Sequence, residues 1–178
     1  MSHTVNMWSA QPLPTRKPAC FSLDSNLRDI LVHTSDSSQS SFQAGTSPCL
    51  HARCRTCHYI SSDTSIRGPQ NSFVIKKAFS CQTSGLVYCT SCRRCRALYI
   101  GETLRQRFGE HLRSIQKNLP GSAVAEHFFT AGHSIDDALV RGMMLSVDNA
   151  QRKRLEMRVI FQLGASQPRG LNSVFRFL

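Results

Sequence analysis

The sequence predicts an α+β fold: a small domain with a three-stranded, mostly antiparallel sheet flanked by helices, braced by zinc and preceded by a poorly ordered lead-in. Three observations predict it. Strand-like segments at 85–90 (GLVYCT), 97–101 (ALYIG) and 138–145 (ALVRGMML) interleave with helical periodicities, giving the order β-β-α-α-β-α. Seven of the 8 cysteines fall into two groups, Cys49, Cys54, Cys57 and Cys81, Cys89, Cys92, Cys95, with Cys20 alone. Residues 1–48 are rich in Pro and Ser, and such composition buries too little apolar surface to offset the entropy of ordering.

Taken in order, the lead-in 1–48 holds one apolar periodicity, Leu27, Ile30 and Leu31 within Asn26–His33, which reads as a short helix. Residues 49–81 read as a cysteine-rich linker with one short strand, FVIKKAF from Phe73. The domain proper covers 82–178. Its first two strands are separated by a turn-like SCRRCR. A helix over Leu104–Gln116 places Leu104, Phe108, Leu112 and Ile115 on one face. A second covers Ala123–Thr130 and stops before Gly132. After the third strand, Gln151–Leu163 is amphipathic, with Leu155, Val159, Ile160 and Leu163 inward and a basic Arg152-Lys153-Arg154 at its start.

Charge narrows the function classes. Lys plus Arg number 22 against 11 Asp plus Glu, a net charge of +11. Most of the basic residues are arginine, whose planar fork of donors matches phosphate, so the excess points to nucleic acid. No apolar run approaches the roughly 18 residues a membrane span needs. The first 20 residues lack the apolar core of a secretory signal, so the protein is expected not to be secreted. In a reducing compartment, clustered cysteines hold metal more often than they form disulfides.

Two metal sets follow from spacing. Cys92 and Cys95 form a C-x2-C on a tight turn, and His127 and His133 follow at the end of a helix and in its exit loop. Two thiolates and two imidazoles make a closed structural zinc site. The second set is Cys49, Cys54 and Cys57 with Cys81 as the fourth ligand, or His51 or His58 in its place. Cys20 and Cys89 are read as unliganded, Cys89 as a small buried strand residue.

Tyr88 and Tyr99, eleven positions apart in paired strands, are by themselves cross-strand packing partners. Downstream, however, come Gly101-Glu102-Thr103, Arg107, His111, Glu156 and a PRGLN segment ending at Asn172. On these residues the sequence resembles the GIY-YIG nucleases, with Leu86-Val87-Tyr88 at the GIY position and Tyr99-Ile100-Gly101 as YIG. More narrowly it is similar to the C-terminal endonuclease domain of Penelope-like retroelement proteins. The C-x2-C between the two signatures carries that likeness, as do Ala125-Glu126-His127-Phe128, Gly132-His133-Ser134 and the upstream cysteine segment. No reverse transcriptase is present, so that part would be supplied in trans.

The resemblance implies a Mg²⁺-dependent endonuclease that nicks target DNA, in the nucleus or otherwise the cytoplasm. It implies Mg²⁺ on Glu156 and a bidentate phosphate contact from Arg107. Tyr88 would orient or deprotonate the water, Tyr99 would support the phosphate, and His111 would assist or serve only the structure. Asn172 would fix the substrate backbone or the site geometry, and Gly101, Thr103 and Arg105 would contact substrate. Read without the resemblance, Glu156 is an i,i+4 partner of Arg152. The loop between Thr103 and the helix arginine is shorter than the family's, which leaves Arg105 as the alternative to Arg107. The two arginines lie about 200° apart on a helix, so one of them faces any given site. The rival expectation is an inactive remnant that binds nucleic acid through its arginine-rich face.

Overall fold

The computed structural model describes residues 43–119, 121–130 and 132–173. The short helix expected at 26–33, and Cys20, lie outside them.

Seven strands and three α-helices make up the described chain: β1 (Gly45–Ser47), β2 (Ser65–Arg67), β3 (Ser72–Val74), β4 (Ala78–Ser80), β5 (Leu86–Cys92), β6 (Leu98–Glu102), α1 (Leu104–Gln116), α2 (Ala123–Thr130), β7 (Ala138–Leu145) and α3 (Asn149–Leu163). The fold is α+β. Its central sheet has the order β6-β5-β7, and both pairings are antiparallel. Every residue of β5 is buried, because the sheet is covered on both faces. The strand runs through Ser91 and Cys92, further than the turn-like SCRRCR suggests, since Ser91 pairs with Leu98 and Leu139.

Alternation along these strands assigns the faces. Tyr88, Thr90, Tyr99, Gly101 and Val140 share one face; Cys89, Ser91, Leu98, Ile100 and Arg141 share the other. Helix α1 lies over the tyrosine face, where His111 meets Tyr99. Leu104, Phe108 and Leu112 of α1 are buried, while Ile115 packs against a smaller cluster around Cys92, Val124 and Phe128.

A strand expected from Phe73 as one piece is two. The chain turns at Lys76-Lys77, so β3 pairs with β2 and β4 pairs with β1 in parallel. Ile75 stays buried between them, its N–H bonded to the Thr64 carbonyl at 2.7 Å. Two adjacent lysines resist burial, which breaks the apolar run there. Ile66, Ile75, Phe79 and Cys81 join the same buried cluster as Leu86, Ile100 and Phe108, so the cysteine-rich segment contributes directly to the core. Strand β1 lies within the stretch expected to be poorly ordered, and its buried Thr46 accepts the Gly142 N–H at 2.7 Å.

Both edges of the central sheet are partly covered. Ile60 bridges to Val140 and the Ser61 N–H bonds the Val140 carbonyl at 3.0 Å, closing part of the β7 edge. On the β6 edge the Leu171 N–H bonds Leu98 at 2.8 Å. The Asn172 amide takes the Ile100 N–H at 2.9 Å and donates to the Ile100 carbonyl at 2.8 Å.

Candidate functional site

Tyr88 and Gly101 are direct partners across β5 and β6. A Cβ at Gly101 would lie 2.8 Å from the Tyr99 ring and 3.0 Å from the Tyr88 hydroxyl, so only glycine admits both rings. The ring centroids of Tyr88 and Tyr99 are 6.4 Å apart. Tyr99 meets the His111 ring edge-to-face at 4.9 Å. The Tyr88 hydroxyl is buried without a hydrogen-bond partner among the described residues, which is costly for a phenol and calls for an explanation.

Three charges act on both tyrosines: Arg107 and Glu110 from α1 and Glu156 from α3. Burial pushes Tyr88 well above its ordinary range; the neighbouring Tyr99 and Glu156 add to this and Arg107 opposes it. Tyr99 is raised for the same first reason, with Arg107 again opposing. His111 is lowered to about 4, by burial first and then by Arg107. Its Nδ1 bonds the Ser122 hydroxyl at 2.8 Å, while its buried Nε2 has no partner among the described residues. Both tyrosines are therefore protonated, and the imidazole neutral, near pH 7.

Glu156 is buried, on the stripe Arg152, Glu156, Val159, Ile160 and Leu163 of α3. The sequence placed Leu155 inward; it is half-buried, and Arg152 and Glu156 take the inner positions. The alternative reading of Glu156, an i,i+4 pair with Arg152, has no counterpart among the described contacts. Arg152 instead bonds Glu102 at 2.9 Å, the Ser146 carbonyl at 3.0 Å and the Asn149 side chain. Glu156 Oε2 faces Lys153 Nζ at 2.9 Å, an ion pair without hydrogen-bond alignment, and Lys153 is 53% exposed. A buried carboxylate whose partner reaches in from solvent is poorly compensated.

Strand β6 ends at Glu102 and α1 begins at Leu104, so Thr103 alone turns the chain. It does so with φ of 57°, in the left-handed region that a β-branched residue rarely adopts. Its hydroxyl donates to the Glu102 carbonyl at 2.6 Å rather than capping the helix. This one-residue turn leads directly into α1. Arg107 emerges from it exposed and paired with Glu110 at 3.0 Å. Arg105 points elsewhere, into a shallow cavity with Gln82, Thr83 and Gly85. Asn172 has both ends of its amide engaged by Ile100, which makes it a brace of the YIG strand.

In both cysteine-containing groups the four ligand atoms lie within 4.8 Å of one another, close enough to share one metal ion. In the first, Cys49–Cys57, Cys54–Cys81 and Cys57–Cys81 sulfurs are 3.6, 3.5 and 3.5 Å apart. Four sulfurs at ordinary zinc distances would be about 3.8 Å apart. Cys81 completes this group, while His51 and His58 stay exposed. In the second, Cys92 Sγ is 3.3 Å from His133 Nδ1, Cys95 Sγ is 3.5 Å from His127 Nε2, and the two imidazole nitrogens are 3.0 Å apart. These too approach the roughly 3.5 Å sulfur–nitrogen edge of a zinc tetrahedron. Either group can hold a metal ion. Cys89 is fully buried, unliganded, and raised to about 12 by burial.

Sequence reasoning missed Ser122, which holds His111, and Lys153, which faces Glu156. Neither carries a local signal, because each acts through a partner on another turn or element. No helix among the described residues is long and apolar enough to cross a membrane. No protein-family model, curated protein or solved structure matches the chain.

Proposed function

We propose that the chain is a zinc-braced, metal-dependent DNA endonuclease of the GIY-YIG type, its site formed by Tyr88, Tyr99, Arg107 and Glu156. The observation that carries the proposal is the buried Tyr88 hydroxyl, without a partner among the described residues and under the influence of both Arg107 and Glu156. A structural tyrosine would have found a hydrogen bond or been phenylalanine.

Glu156 would hold the divalent cation. Its buried oxygen lacks an aligned donor, and Mg²⁺ commonly takes one or two carboxylates with substrate oxygens and water. When bound, the cation supplies a Lewis acid beside the scissile phosphate. The remaining roles fall to the chain. Arg107, exposed at the mouth, presents a guanidinium fork to a phosphate once it exchanges Glu110 for the substrate. Tyr88 stays protonated at neutral pH, so it orients water or a phosphate oxygen by donation and does not act as a base. His111, neutral and fixed by Ser122, supports the Tyr99 ring from its edge. Asn172 holds the YIG backbone straight beneath them. The two cysteine groups take zinc; the second ties α2 and its exit loop to the β5–β6 turn.

One observation favours the rival, a remnant that binds nucleic acid without cutting. Lys153 stands 2.9 Å from the Glu156 carboxylate, where a metal ion would have to displace it. Plasmid nicking separates the two. The endonuclease relaxes supercoiled DNA with Mg²⁺, and Glu156→Gln abolishes this while retaining DNA binding. DNA binding by the unaltered chain with no nicking in Mg²⁺ or Mn²⁺ would establish the remnant.

A further inference from the structure

On the face of the sheet opposite the tyrosines lies an open cavity of about 340 Å³. Its lining includes Arg67, Arg93, Arg96, Arg141, Ser65 and Ser91, and no carboxylate. Ser91, Leu98, Leu139 and Arg141 line it from the strands, all on the face away from Tyr88 and Tyr99. The pocket is thus separate from the site described above.

The four arginines differ in their partners. Arg141 forms the floor, with its side chain 10% exposed; it bonds Asp63 at 2.8 Å, Ser61 at 3.2 Å and Ser91 at 3.4 Å. Arg67, Arg93 and Arg96 are exposed and have no carboxylate or hydrogen-bond partner for their side chains among the described residues. Acids are available nearby: Asp137 lies close enough to bind Arg94 at 2.8 Å. Three uncompensated guanidinium groups over a rigid fourth repel one another, and an anion relieves that repulsion.

The pocket is also held in shape. Arg93 directly follows Cys92 and Arg96 directly follows Cys95, so both lie on the segment that carries two members of the Cys92–Cys95–His127–His133 group. Arg96 has φ of 64°, and its N–H closes the turn onto the Cys92 carbonyl at 2.9 Å. From the other wall, β2 presents Arg67 and Ser65 on the same side, two residues apart. Planar forks on opposite walls, with serine hydroxyls between them, match the oxygens of a phosphate.

We infer that this arginine-lined pocket is a second phosphate site, which grips the backbone of the nucleic acid away from the cutting centre. It rests on the nucleic-acid reading above and extends it. A contact on the far face lets the chain hold a strand beyond the scissile phosphate, and loading of the Cys2His2 group sets the position of two of its arginines.

The test is the salt dependence of binding by the full chain to a labelled duplex of two helical turns, without added magnesium. Each phosphate contact contributes about 0.9 to the slope of log K against log salt. Arg67→Gln with Arg96→Gln should lower that slope by about 2, with the melting temperature unchanged. Arg154→Gln with Arg158→Gln removes equal charge from α3 and should lower it by less. Pyrophosphate alone should bind no tighter than millimolar. Equal slope changes from the two pairs would overturn the proposal, as would saturable micromolar binding of pyrophosphate, which would mark a small-ligand site. Nicking assays keep the two ideas apart: an unchanged slope in a chain that nicks defeats only the pocket, and a lowered slope in a chain that never nicks defeats only the endonuclease.

Discussion

Tyr88 and Gly101 pair across the two central strands so closely that a methyl group on Gly101 would lie 3.0 Å from the Tyr88 hydroxyl. It would also lie 2.8 Å from the Tyr99 ring. Neither ring is free to retreat, since Tyr88 is fully buried and Tyr99 is wedged against His111. Gly101→Ala should therefore cost about 1–3 kcal/mol by overpacking and displace both hydroxyls. Urea denaturation measures the first effect. Loss of nicking, far beyond the change in folded fraction at assay temperature, measures the second.

The two cysteine groups make a stoichiometric prediction. Metal analysis of purified chain should find two zinc ions, and Cys92→Ser or Cys54→Ser should each leave about one. Structural zinc contributes roughly 10–16 kcal/mol of binding free energy, comparable with the whole stability of a domain this size. Chelation should then abolish cooperative unfolding. Well-folded protein free of zinc would refute the brace.

Much of this fold was legible because its signals are local. The strands at Leu86, Leu98 and Ala138 and the helix at Leu104 follow from alternation and from apolar spacing of three and four. Helix α3 starts two residues before its expected Gln151, because the Asp148 side chain caps it by accepting the Gln151 N–H at 2.6 Å. What escaped is non-local. Nothing near Asn172 indicates that its amide would clamp Ile100, 72 positions away. Nothing near Arg152 indicates that it would leave Glu156 for Glu102. Spacing did assemble the metal groups, since thiolates and imidazoles gather by chemistry, yet it left the choice between Cys81 and a histidine to the tertiary structure.

His111 predicts a pH dependence. Its folded pKa is lowered to about 4, by burial and then Arg107, with Glu110 opposing. The unfolded chain, at the ordinary value near 6.5, binds the proton more readily. Stability from this residue is complete above about pH 6.5 and declines as the pH falls toward 4, by about 3 kcal/mol in all. The measurement is the difference between the unaltered chain and His111→Gln, both zinc-loaded. The variant should show the shallower decline between pH 6.5 and 5.

The most direct test of the central claim is Tyr88→Phe. The change deletes one oxygen that no described residue hydrogen-bonds, on a side chain that is fully buried. If that hydroxyl is retained for a substrate, removing it should leave stability equal or raised by up to about 1 kcal/mol. Nicking should fall by about 100-fold or more. Undiminished nicking by Tyr88→Phe, in a chain that nicks before the change, would contradict the account.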